Sequence, residues 1–295
     1  MKKILVTGAN GQLGSEIKIL APNYPHFEFI FTDIEDFPLD QSDVIVANFN
    51  IIKPDIVINC AAYTAVDKAE QDQVVADAIN HLAIATLANL CAASGAKLVH
   101  ISTDYVFDGT SPIAYVETDL PNPKSVYGVT KLAGETACIE NCPESIIIRT
   151  AWVYSEFGNN FVKTMLRLMT ERDSLNVVND QVGSPTYAAD LAQVILTILD
   201  SAKWESGIYH YSNAGEISWF DFATDIKQIG NKTCDITGIP ASSYPTPAER
   251  PAYSLLDKSK IQAVYGIVPI DYKISLTIMM RRLLEVRSRK LEVGS

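Results

Sequence analysis

The chain has 295 residues, 47% of them hydrophobic and 20% charged, an ordinary globular composition that excludes disordered and fibrous proteins. At roughly 150 residues per domain, this length predicts two domains, or one α/β domain with a large appendage. The 35 acidic residues outnumber the 24 basic ones, and the net charge of −11 argues against nucleic acids and anionic membranes as partners, since both are bound by clustered Lys and Arg.

Strands and helices alternate along the first half of the chain. Short apolar runs that end in polar or glycine residues predict the strands, and apolar residues at helical spacing predict the helices. Parallel strands need crossover connections, so the alternation predicts a Rossmann-type α/β fold, a doubly wound parallel sheet covered on both faces. In chain order the predicted elements are strand 4–7, helix 12–20, strand 27–32, helix 44–52, strand 55–59, helix 72–94, strand 97–102, helix 125–140 and strand 145–150.

The alternation of strands and helices becomes less regular after residue 152, which predicts a smaller C-terminal lobe that completes a cleft. We expect residues 1–150 to form a dinucleotide-binding domain that regains elements from about 160–205. Residues 151–290 are expected to form mainly a substrate-binding lobe, interleaved with the first domain. The elements predicted in this half are helices at 160–170 and 187–201, which can still pack on the sheet, and lobe segments at 207–212 and 244–251.

Cysteine usage and apolar runs bear on the compartment. The five cysteines are scattered along the chain, which argues against a disulfide framework and for a reducing environment. The apolar stretch near the N-terminus is too short for a signal peptide, and no apolar run approaches the ~18 residues of a membrane span. We therefore expect a cytoplasmic protein.

A glycine-rich turn joins the first predicted strand to the first predicted helix. Gly8, Gly11 and Gly14 permit a tight turn, and the free N–H groups at a helix N-terminus can bind a pyrophosphate. Asp33 ends the second strand 19 residues beyond Gly14, where an acid can accept from ribose hydroxyls. A plain strand-to-helix turn would explain the glycines alone. The strand, the helix and the acid together predict dinucleotide binding.

The acidic residues near the expected ribose bear on the choice of cofactor. Asp33, Glu35 and Asp36 would repel a 2′-phosphate, which favours NADH over NADPH. A basic side chain from elsewhere in the fold could offset this preference.

Tyr127 and Lys131 lie four residues apart on a predicted helix and therefore share a face. A tyrosine with a pKa of about 10 is a poor proton donor at neutral pH, but a cation beside it favours phenolate. Alone, the pair could be ordinary surface residues. Ser102 and Thr103 end the fourth strand at the carboxyl edge of the sheet, where open α/β folds bind ligands. A hydroxyl, a phenol and an ammonium near a nicotinamide predict a carbonyl-reducing or alcohol-oxidising site.

Five longer motifs occur in order along the chain: AYTAVDKAE at 62–70, STDYVFDG at 102–109, NNF at 159–161, NDQVGSPT at 179–186 and YPTPAERP at 244–251. With the glycine turn and the Tyr–Lys pair, they resemble the dTDP-4-dehydrorhamnose reductase family of the extended short-chain dehydrogenase/reductases. The resemblance implies reduction of the 4-keto group of dTDP-4-dehydro-L-rhamnose to dTDP-L-rhamnose by NADPH or NADH.

The resemblance also implies roles for single residues. Thr103, Tyr127 and Lys131 match the catalytic trio of the family. Tyr127 would donate the proton, Thr103 would hydrogen-bond the carbonyl oxygen, and Lys131 would hold the nicotinamide ribose and lower the pKa of Tyr127. The implied cofactor contacts, besides Tyr127 and Lys131, are Gly8, Asn10, Gly11, Gln12, Leu13, Gly14, Asp33, Asp40, Ala61, Ala62 and Tyr63. The implied substrate contacts are Val66, Thr103, Asp104 and Trp152, with Asn160 and Arg250 as weaker candidates that could equally be structural.

Some members of this family hold Mg²⁺ with carboxylates at a dimer interface. Glu16 matches one such position and Asp190 stands where another acid is expected, but no third acid aligns near the C-terminus. An acid in the first turn of a helix explains Glu16 as well. Glu16 and Asp190 are thus possible Mg²⁺ ligands, and the protein is expected to be a monomer or a homodimer.

Two other functions stay open at this point. A sugar-nucleotide epimerase or 4,6-dehydratase would share the fold, although the dehydratases carry two acids after the Thr and this chain has Asp104 and then Tyr105. A non-catalytic regulatory subunit, like that of methionine adenosyltransferase, also resembles the family. The intact Thr103, Tyr127 and Lys131 favour catalysis.

Three further residues are assigned from their positions in the predicted elements. His100, in the middle of a strand, and Trp219 are expected to serve packing. Asn80 lies on the long predicted helix; the resemblance to related reductases implies that it could order a proton relay, and an ordinary polar residue on a helix face is the alternative.

Overall fold

The computed structural model describes residues 1–293, with side chains for residues 1–285. In this part of the chain the strands are β1 (Lys2–Thr7), β2 (Phe27–Phe31), β3 (Ile56–Asn59), β4 (Lys97–Thr103), β5 (Ile146–Thr150), β6 (Val153–Tyr154), β7 (Ser174–Val178), β8 (Val182–Gly183), β9 (Thr186–Tyr187), β10 (Gly207–His210), β11 (Ile217–Ser218) and β12 (Asp235–Ile239). The α-helices are α1 (Gln12–Leu20), α2 (Ser42–Ile52), α3 (Val66–Ala69), α4 (Gln73–Asp77), α5 (Ala83–Ser94), α6 (Val126–Asn141), α7 (Phe161–Glu171), α8 (Ala188–Asp200), α9 (Trp219–Ile229), α10 (Ser259–Tyr265) and α11 (Tyr272–Val293).

Six parallel strands form the central sheet in the order β10-β5-β4-β3-β1-β2. Strands β3 and β5 are buried along their whole length, as expected for a parallel sheet covered on both faces. The chain runs from β1 to β2 on one side and then returns to β3 on the other. The carboxyl ends of β1 and β3 therefore lie at the point where the strand order reverses, which is where open α/β sheets bind ligands.

Alternating side chains divide the core between the two faces of the sheet. Ile4 and Val6 of β1 belong to an apolar cluster with α1 and α8, whereas Leu5 belongs to a cluster with α2, α5 and α6. Successive residues of a strand point to opposite faces, so a run of buried apolar residues supplies both clusters. The predicted Rossmann-type fold is present.

A third apolar cluster lies outside the sheet and is built by α7, α9 and α11 with the strand pair β7 and β12. Sequence reasoning also placed residues 207–212 in this lobe, and that assignment is wrong: β10 pairs with β5 and forms an edge of the central sheet. A four-residue strand carries too little pattern to indicate a partner about 60 residues away. Of the stretch 160–205, α8 returns to the sheet whereas α7 belongs to the third cluster.

One continuous helix, Gln73–Ser94, contains α4, a π-helical segment (Ala78–Leu82) and α5. Its length and a mean hydropathy of 1.4 would suffice for a membrane span, which corrects the expectation that no segment comes close. Its buried residues Ile84, Leu87 and Cys91 pack in the cluster beneath the sheet. Contact with the protein core accounts for the apolar residues on the buried face of this helix.

Candidate active site

A cleft of about 890 Å³ opens at the carboxyl edge of the central sheet. It is lined by the loops that follow five of the strands and by one face of α6. The predicted site residues that line it are Gly8, Gly11, Gln12, Leu13, Asp33, Asp40, Ala61, Ala62, Tyr63, Val66, Thr103, Asp104, Tyr127, Lys131 and Trp152. The predicted cofactor and substrate residues outside this lining are Asn10, Gly14, Asn160 and Arg250, and the possible metal ligands Glu16 and Asp190 also lie outside it.

The turn after β1 is shaped by glycines. Gly8 has a φ of 64°, in the left-handed region, and a Cβ there would lie 2.8 Å from the backbone of Ala61. A Cβ on Gly14 would lie 2.3 Å from the carbonyl oxygen of Gly8, so α1 packs this closely only with glycine at that position. Gly11 is the N-cap residue of helix α1 and offers no side chain to cap it. The first N–H groups of the helix can therefore bind a diphosphate.

Asp33 lines the cleft beyond β2 and is tied to the backbone on both sides. Its Oδ2 accepts from the N–H of Asn10 over 2.6 Å, and its Oδ1 accepts from that of Ile34 over 2.8 Å. Asn10 thus contributes by orienting Asp33. Glu35 and Asp36 are exposed and outside the lining. Among the lining residues of the described chain, the sole Lys or Arg is Lys131.

Polar side chains gather where β4 ends. Thr103 accepts from the N–H of Tyr105 and donates to Asp104 over 3.1 Å. Burial raises the pKa of Asp104 to about 6, against the lowering effect of hydrogen bonds from Ser254 and Thr103. The hydroxyl of Ser102 is buried without a hydrogen-bond partner in the described part of the chain. Such orphaned groups are rare, and a ligand in the cleft could satisfy this one.

Helix α6 packs closely against the segment after β4, and this places Tyr127 at the end of that strand. Ser125 caps the helix by accepting from the N–H of Gly128 over 3.2 Å. A Cβ on Gly128 would lie 2.3 Å from the carbonyl oxygen of Tyr105, so only glycine allows this approach. Burial raises the pKa of Tyr127 to about 12, and a hydrogen bond with Thr103 opposes that rise.

Lys131 lies one turn further along α6 and is 2% exposed. Its Nζ donates to the carbonyl of Ile101 over 2.6 Å, and burial lowers its pKa to about 8. The causes of the Tyr127 shift are burial, Thr103 and Asp104, and Lys131 is not among them. The expectation that Lys131 lowers the pKa of Tyr127 is therefore not met here, because the amine is turned towards Ile101.

Trp152 follows β5 and forms part of the cleft wall. Its φ of 48° is unusual for a bulky residue and marks a constrained position. A Cβ on Gly183 would lie 3.0 Å from the Trp152 ring, so the small residue on β8 makes room for the indole. Sequence reasoning identified Trp152 through the family resemblance, whereas its left-handed backbone carries no local signal.

Asn160 and Arg250 have structural partners outside the cleft lining. Asn160 caps α7, and its Nδ2 donates to Gln12 Oε1 over 3.0 Å, which holds Gln12 at the cleft. Arg250 forms two hydrogen bonds to Asp67, of 3.0 and 2.7 Å. These contacts give each residue a structural role, and its predicted contact with substrate stays a prediction.

Some lining residues had not been singled out from the sequence. Phe37 and Leu39 are apolar residues in an otherwise acidic loop, and this local signal could have indicated them. The other additional lining residues reach the cleft through packing between distant parts of the chain. The main additional lining residues are Ile34, Phe37, Leu39, Cys60, Thr64, Tyr105, Gly158 and Asn159.

Glu16 and Asp190 do not form a metal site in the described chain. Glu16 is fully buried and has the guanidinium of Arg282 at 3.8 Å. Asp190 accepts hydrogen bonds from Asn213 and Ser275. Across the residues with described side chains, no three His, Cys, Asp or Glu residues are placed to hold a metal ion. Within the described chain, Glu16 and Asp190 are thus not joined by a third ligand for Mg²⁺.

Other features of the cleft do fit a dinucleotide. The uncapped start of α1, the close approach of Gly8 to Ala61 and the acid after β2 meet at the reversal of strand order. A phenol and an amine on α6 lie along the same cleft. The fold and the cleft together define an extended short-chain dehydrogenase/reductase.

Comparisons with known proteins narrow this class. The family model described as the RmlD substrate binding domain matches residues 1–285. A dTDP-4-dehydrorhamnose reductase from Aggregatibacter actinomycetemcomitans is 40% identical over 286 residues, covering 94% of this chain and 97% of the relative. The chain therefore belongs to the dTDP-4-dehydrorhamnose reductase family, and it is a nicotinamide-dependent oxidoreductase. The predictions of family and enzyme class are confirmed.

Solved structures agree with this assignment. The crystal structure of a dTDP-4-dehydrorhamnose reductase from Clostridium acetobutylicum superposes with a TM-score of 0.92 at 42% identity, covering 96% of this chain and 99% of that one. A dTDP-4-dehydrorhamnose reductase from Bacillus anthracis, in complex with NADP, gives a TM-score of 0.90 at 36% identity, covering 95% of this chain and 99% of that one. The predicted fold is confirmed.

Proposed function

We propose that the chain reduces the 4-keto group of dTDP-4-dehydro-L-rhamnose to give dTDP-L-rhamnose. The observation that carries this proposal is a single cleft that holds Thr103, Tyr127 and Lys131 at the same sheet edge as the glycine turn. Similarity to reductases named for this substrate extends over nearly the whole chain and supports the choice of sugar nucleotide.

In the proposed mechanism, the side chains at the end of β4 and on α6 handle the carbonyl oxygen. A bound reduced nicotinamide supplies the hydride that adds to C4 of the sugar. Tyr127 donates its phenolic proton to the carbonyl oxygen, so that one hydride and one proton convert the ketone to an alcohol. Thr103 hydrogen-bonds the same oxygen as negative charge develops, and Lys131 binds the ribose hydroxyls of the cofactor.

The cofactor end of the cleft favours NADH over NADPH. A 2′-phosphate would lie near Asp33, whose carboxylate lines the cleft. With Lys131 placed beside Tyr127, no Lys or Arg among the described lining residues is available near Asp33 to neutralise such a phosphate. We therefore expect NADH to be used at least as well as NADPH. No step of the mechanism involves Mg²⁺.

We propose a division of labour between the parts of the fold. Residues 1–150, with the returning segments α8 and β10, bind the dinucleotide. Most of the remaining C-terminal half holds the sugar nucleotide and presents Trp152 to it. We further expect a cytoplasmic monomer or homodimer that binds neither nucleic acid nor membranes.

The direct test is NADH and NADPH oxidation with dTDP-4-dehydro-L-rhamnose, run beside other 4-keto sugar nucleotides. Stoichiometric cofactor oxidation with formation of dTDP-L-rhamnose supports the proposal. A product formed without net cofactor turnover would instead indicate an epimerase, and the absence of turnover with a tightly bound synthetase partner would indicate a regulatory subunit.

The proton donor is tested by Tyr127→Phe, which removes the phenolic proton and keeps the ring. We expect kcat to fall by about 10²-fold or more, the usual scale for loss of a general acid, with cofactor affinity nearly unchanged. Tyr105→Phe is the matched control. The Tyr105 ring lies edge-on to that of Tyr127 with the ring centroids 5.5 Å apart, and the proposed mechanism gives Tyr105 no part in proton transfer. Equal losses in both variants would contradict the assignment.

A further inference from the structure

A row of buried polar side chains runs from β1 to α6 beneath the cleft. Thr7 Oγ1 donates to Asn59 Oδ1 over 2.6 Å, and Asn59 Nδ2 lies 3.1 Å from His100 Nδ1. His100 Nε2 in turn lies 3.4 Å from Lys131 Nζ. The four side chains are between 0% and 2% exposed. Every donor and acceptor in such a row needs a partner, so the positions of the hydrogens can be deduced.

Ala61 fixes the orientation of the Asn59 amide. Asn59 Nδ2 donates to the carbonyl oxygen of Ala61 over 3.2 Å, a contact that the amide oxygen could not make. With the nitrogen on this side, its second hydrogen points to His100 Nδ1, which must then accept and carry no proton. A neutral imidazole has one N–H, so the network assigns it to Nε2.

His100 therefore presents an N–H, not a lone pair, to the lysine. The ammonium form of Lys131 has only donors to offer, so the two groups oppose each other when Lys131 is charged. The neutral amine can accept from His100 Nε2–H while it still donates to the carbonyl of Ile101, 2.6 Å away.

His210 provides the opposite case in the same fold. Its Nδ1 lies 3.1 Å from the carbonyl oxygen of Tyr115, so Nδ1 carries the proton. Its Nε2 then offers a lone pair to the guanidinium of Arg149, 3.5 Å away. His210 thus presents an acceptor nitrogen to Arg149, whereas His100 presents an N–H donor to Lys131.

We propose that His100 is a positioning residue that sets the charge of Lys131, by holding its Nε2–H against the amine and stabilising the unprotonated form. Lys131 then exchanges its proton in the neutral range instead of remaining a permanent cation. The proposal deepens, and rests on, the proposed role of Lys131 beside Tyr127.

The pKa directions agree with this geometry. Burial lowers the pKa of Lys131 to about 8, while burial and then the charge of Lys131 hold the pKa of His100 well below its usual range. His100 is therefore neutral at physiological pH, as the deduced tautomer requires.

Groups on the neighbouring elements also face this pair. On α6, Glu135 and Cys138 raise the pKa of Lys131. Glu135 is bound by Arg149 of β5 through two hydrogen bonds of 2.9 and 2.6 Å, so its charge is largely compensated. Cys138 is in turn faced by Cys142 at the C-terminal end of α6 and by Cys91 of α5, and Tyr127 is faced by Asp104.

The tautomer can be observed directly by NMR without any substrate. The chain has four histidines, so long-range ¹H–¹⁵N correlation of ¹⁵N-histidine protein gives few signals, and His100→Gln identifies those of His100. We expect His100 at pH 7 to be neutral with its proton on Nε2, and His210 to show the Nδ1–H form as an internal control. An Nδ1–H form or an imidazolium at His100 would overturn the proposal.

The charge of Lys131 is tested by titrating ¹³Cε-labelled lysine, with Lys131→Met to assign the signal. The side chain of His100→Gln can turn an amide oxygen to the amine, which should move the midpoint up by about one unit or more. His210→Gln is the matched control and should leave the midpoint in place. An unchanged midpoint in folded His100→Gln refutes the proposal.

If His100→Gln does not fold, Asn59→Asp replaces it, because a carboxylate beside Nδ1 reverses the tautomer and should likewise raise the midpoint. The alkaline limb of kcat/KM for keto-sugar reduction should shift in the same direction, which a merely structural role would not cause. The NMR measurements do not depend on turnover. Failure of the proposed reaction is therefore distinguishable from failure of this inference.

Discussion

The indole rings of Trp152 and Trp219 are stacked with centroids 3.6 Å apart and planes inclined by 14°. Trp152 lies in the cleft wall after β5, whereas Trp219 is the first residue of α9 in the C-terminal lobe. Ser218 and Asp221 form a capping box that fixes the start of α9 and therefore the position of Trp219. The C-terminal lobe thus supports the cleft wall through this aromatic contact.

Trp219→Ala should leave Trp152 without this support and weaken binding of the sugar nucleotide. An aromatic pair contributes about 0.5–1.5 kcal/mol beyond its buried area, so we expect KM for the sugar nucleotide to rise roughly 3- to 10-fold with little change in KM for the cofactor. Trp219→Phe should retain most of the contact. Circular dichroism provides a second measurement, since the stacked indoles should give an exciton couplet that Trp219→Phe removes.

Trp204→Phe is the control for this prediction. The Trp204 indole donates to the carbonyl of Glu144 over 2.7 Å and lies outside the cleft lining. It should change neither KM nor the couplet. A rise in the cofactor KM in Trp219→Ala, equal to that for the sugar nucleotide, would argue for general loosening of the fold.

The preference between cofactors should depend on Asp33. Replacing Asp33 with Asn removes the charge near the expected 2′-phosphate while keeping an acceptor for a backbone N–H. We expect the ratio of kcat/KM for NADPH to that for NADH to rise by about 10-fold, the effect of removing roughly 1.4 kcal/mol of like-charge repulsion.

Asp36→Asn is the matched control for charge, because Asp36 is exposed and does not line the cleft. It should alter the ratio little. A wild-type enzyme that prefers NADPH strongly, with no change in Asp33→Asn, would show that the ribose lies away from Asp33.

The parts of this fold that the sequence predicts are those encoded locally. The glycine turn, the helix at Gln12–Leu20 and the start of α6 each depend on a few consecutive residues, and the structure has them within a residue or two. Strand β10 and the Trp152–Trp219 stack depend on partners about 60 residues away. Local patterns carry no information about such pairs.

The same limit applied to His100 and Asn80. His100 is indeed buried, but its contacts with Asn59 and Lys131 join three separate elements. Asn80 lies in the π-helical segment and binds the backbone of Tyr63 on both sides as well as Thr130, so it faces the protein and orders the loop after β3. The predicted elements place His100 on a strand and Asn80 on a helix, and only the packing gives them partners.

Arg282 should stabilise the fold without any metal. Its Nη1 donates to Tyr187 over 3.0 Å and lies 3.7 Å from Glu156 and 3.8 Å from Glu16. Burial and then the neighbouring Glu156 raise the pKa of Glu16 to about 8, and Arg282 opposes that rise. Arg282→Met would remove this cation and its hydrogen bond to Tyr187, and we expect the free energy of unfolding in urea to fall by about 1–3 kcal/mol. Arg282→Lys should recover part of the loss.

Metal dependence gives the complementary measurement for this cluster. A guanidinium already lies beside Glu16. We therefore expect the Tm of the wild-type protein to stay the same when Mg²⁺ is added at about 5 mM, a concentration at which weak sites fill, and when EDTA is added. A clear rise of Tm with Mg²⁺ that Glu16→Gln abolishes would indicate a metal site after all.

Acid should destabilise the protein through its buried histidines. Burial, followed by the charge of Arg149, lowers the pKa of His210 to about 3, whereas the unfolded chain has an ordinary histidine pKa of about 6.5. Between these values the unfolded state binds a proton that the folded state does not, so stability is present above pH ~6.5 and is lost as the pH falls.

His210→Gln keeps a donor for Tyr115 and an acceptor for Arg149 but cannot titrate. Urea unfolding should show its stability relative to wild type improving by about 2 kcal/mol from pH 7 to pH 5. Parallel pH curves for the two proteins would show that His210 has the same pKa in the folded and the unfolded state.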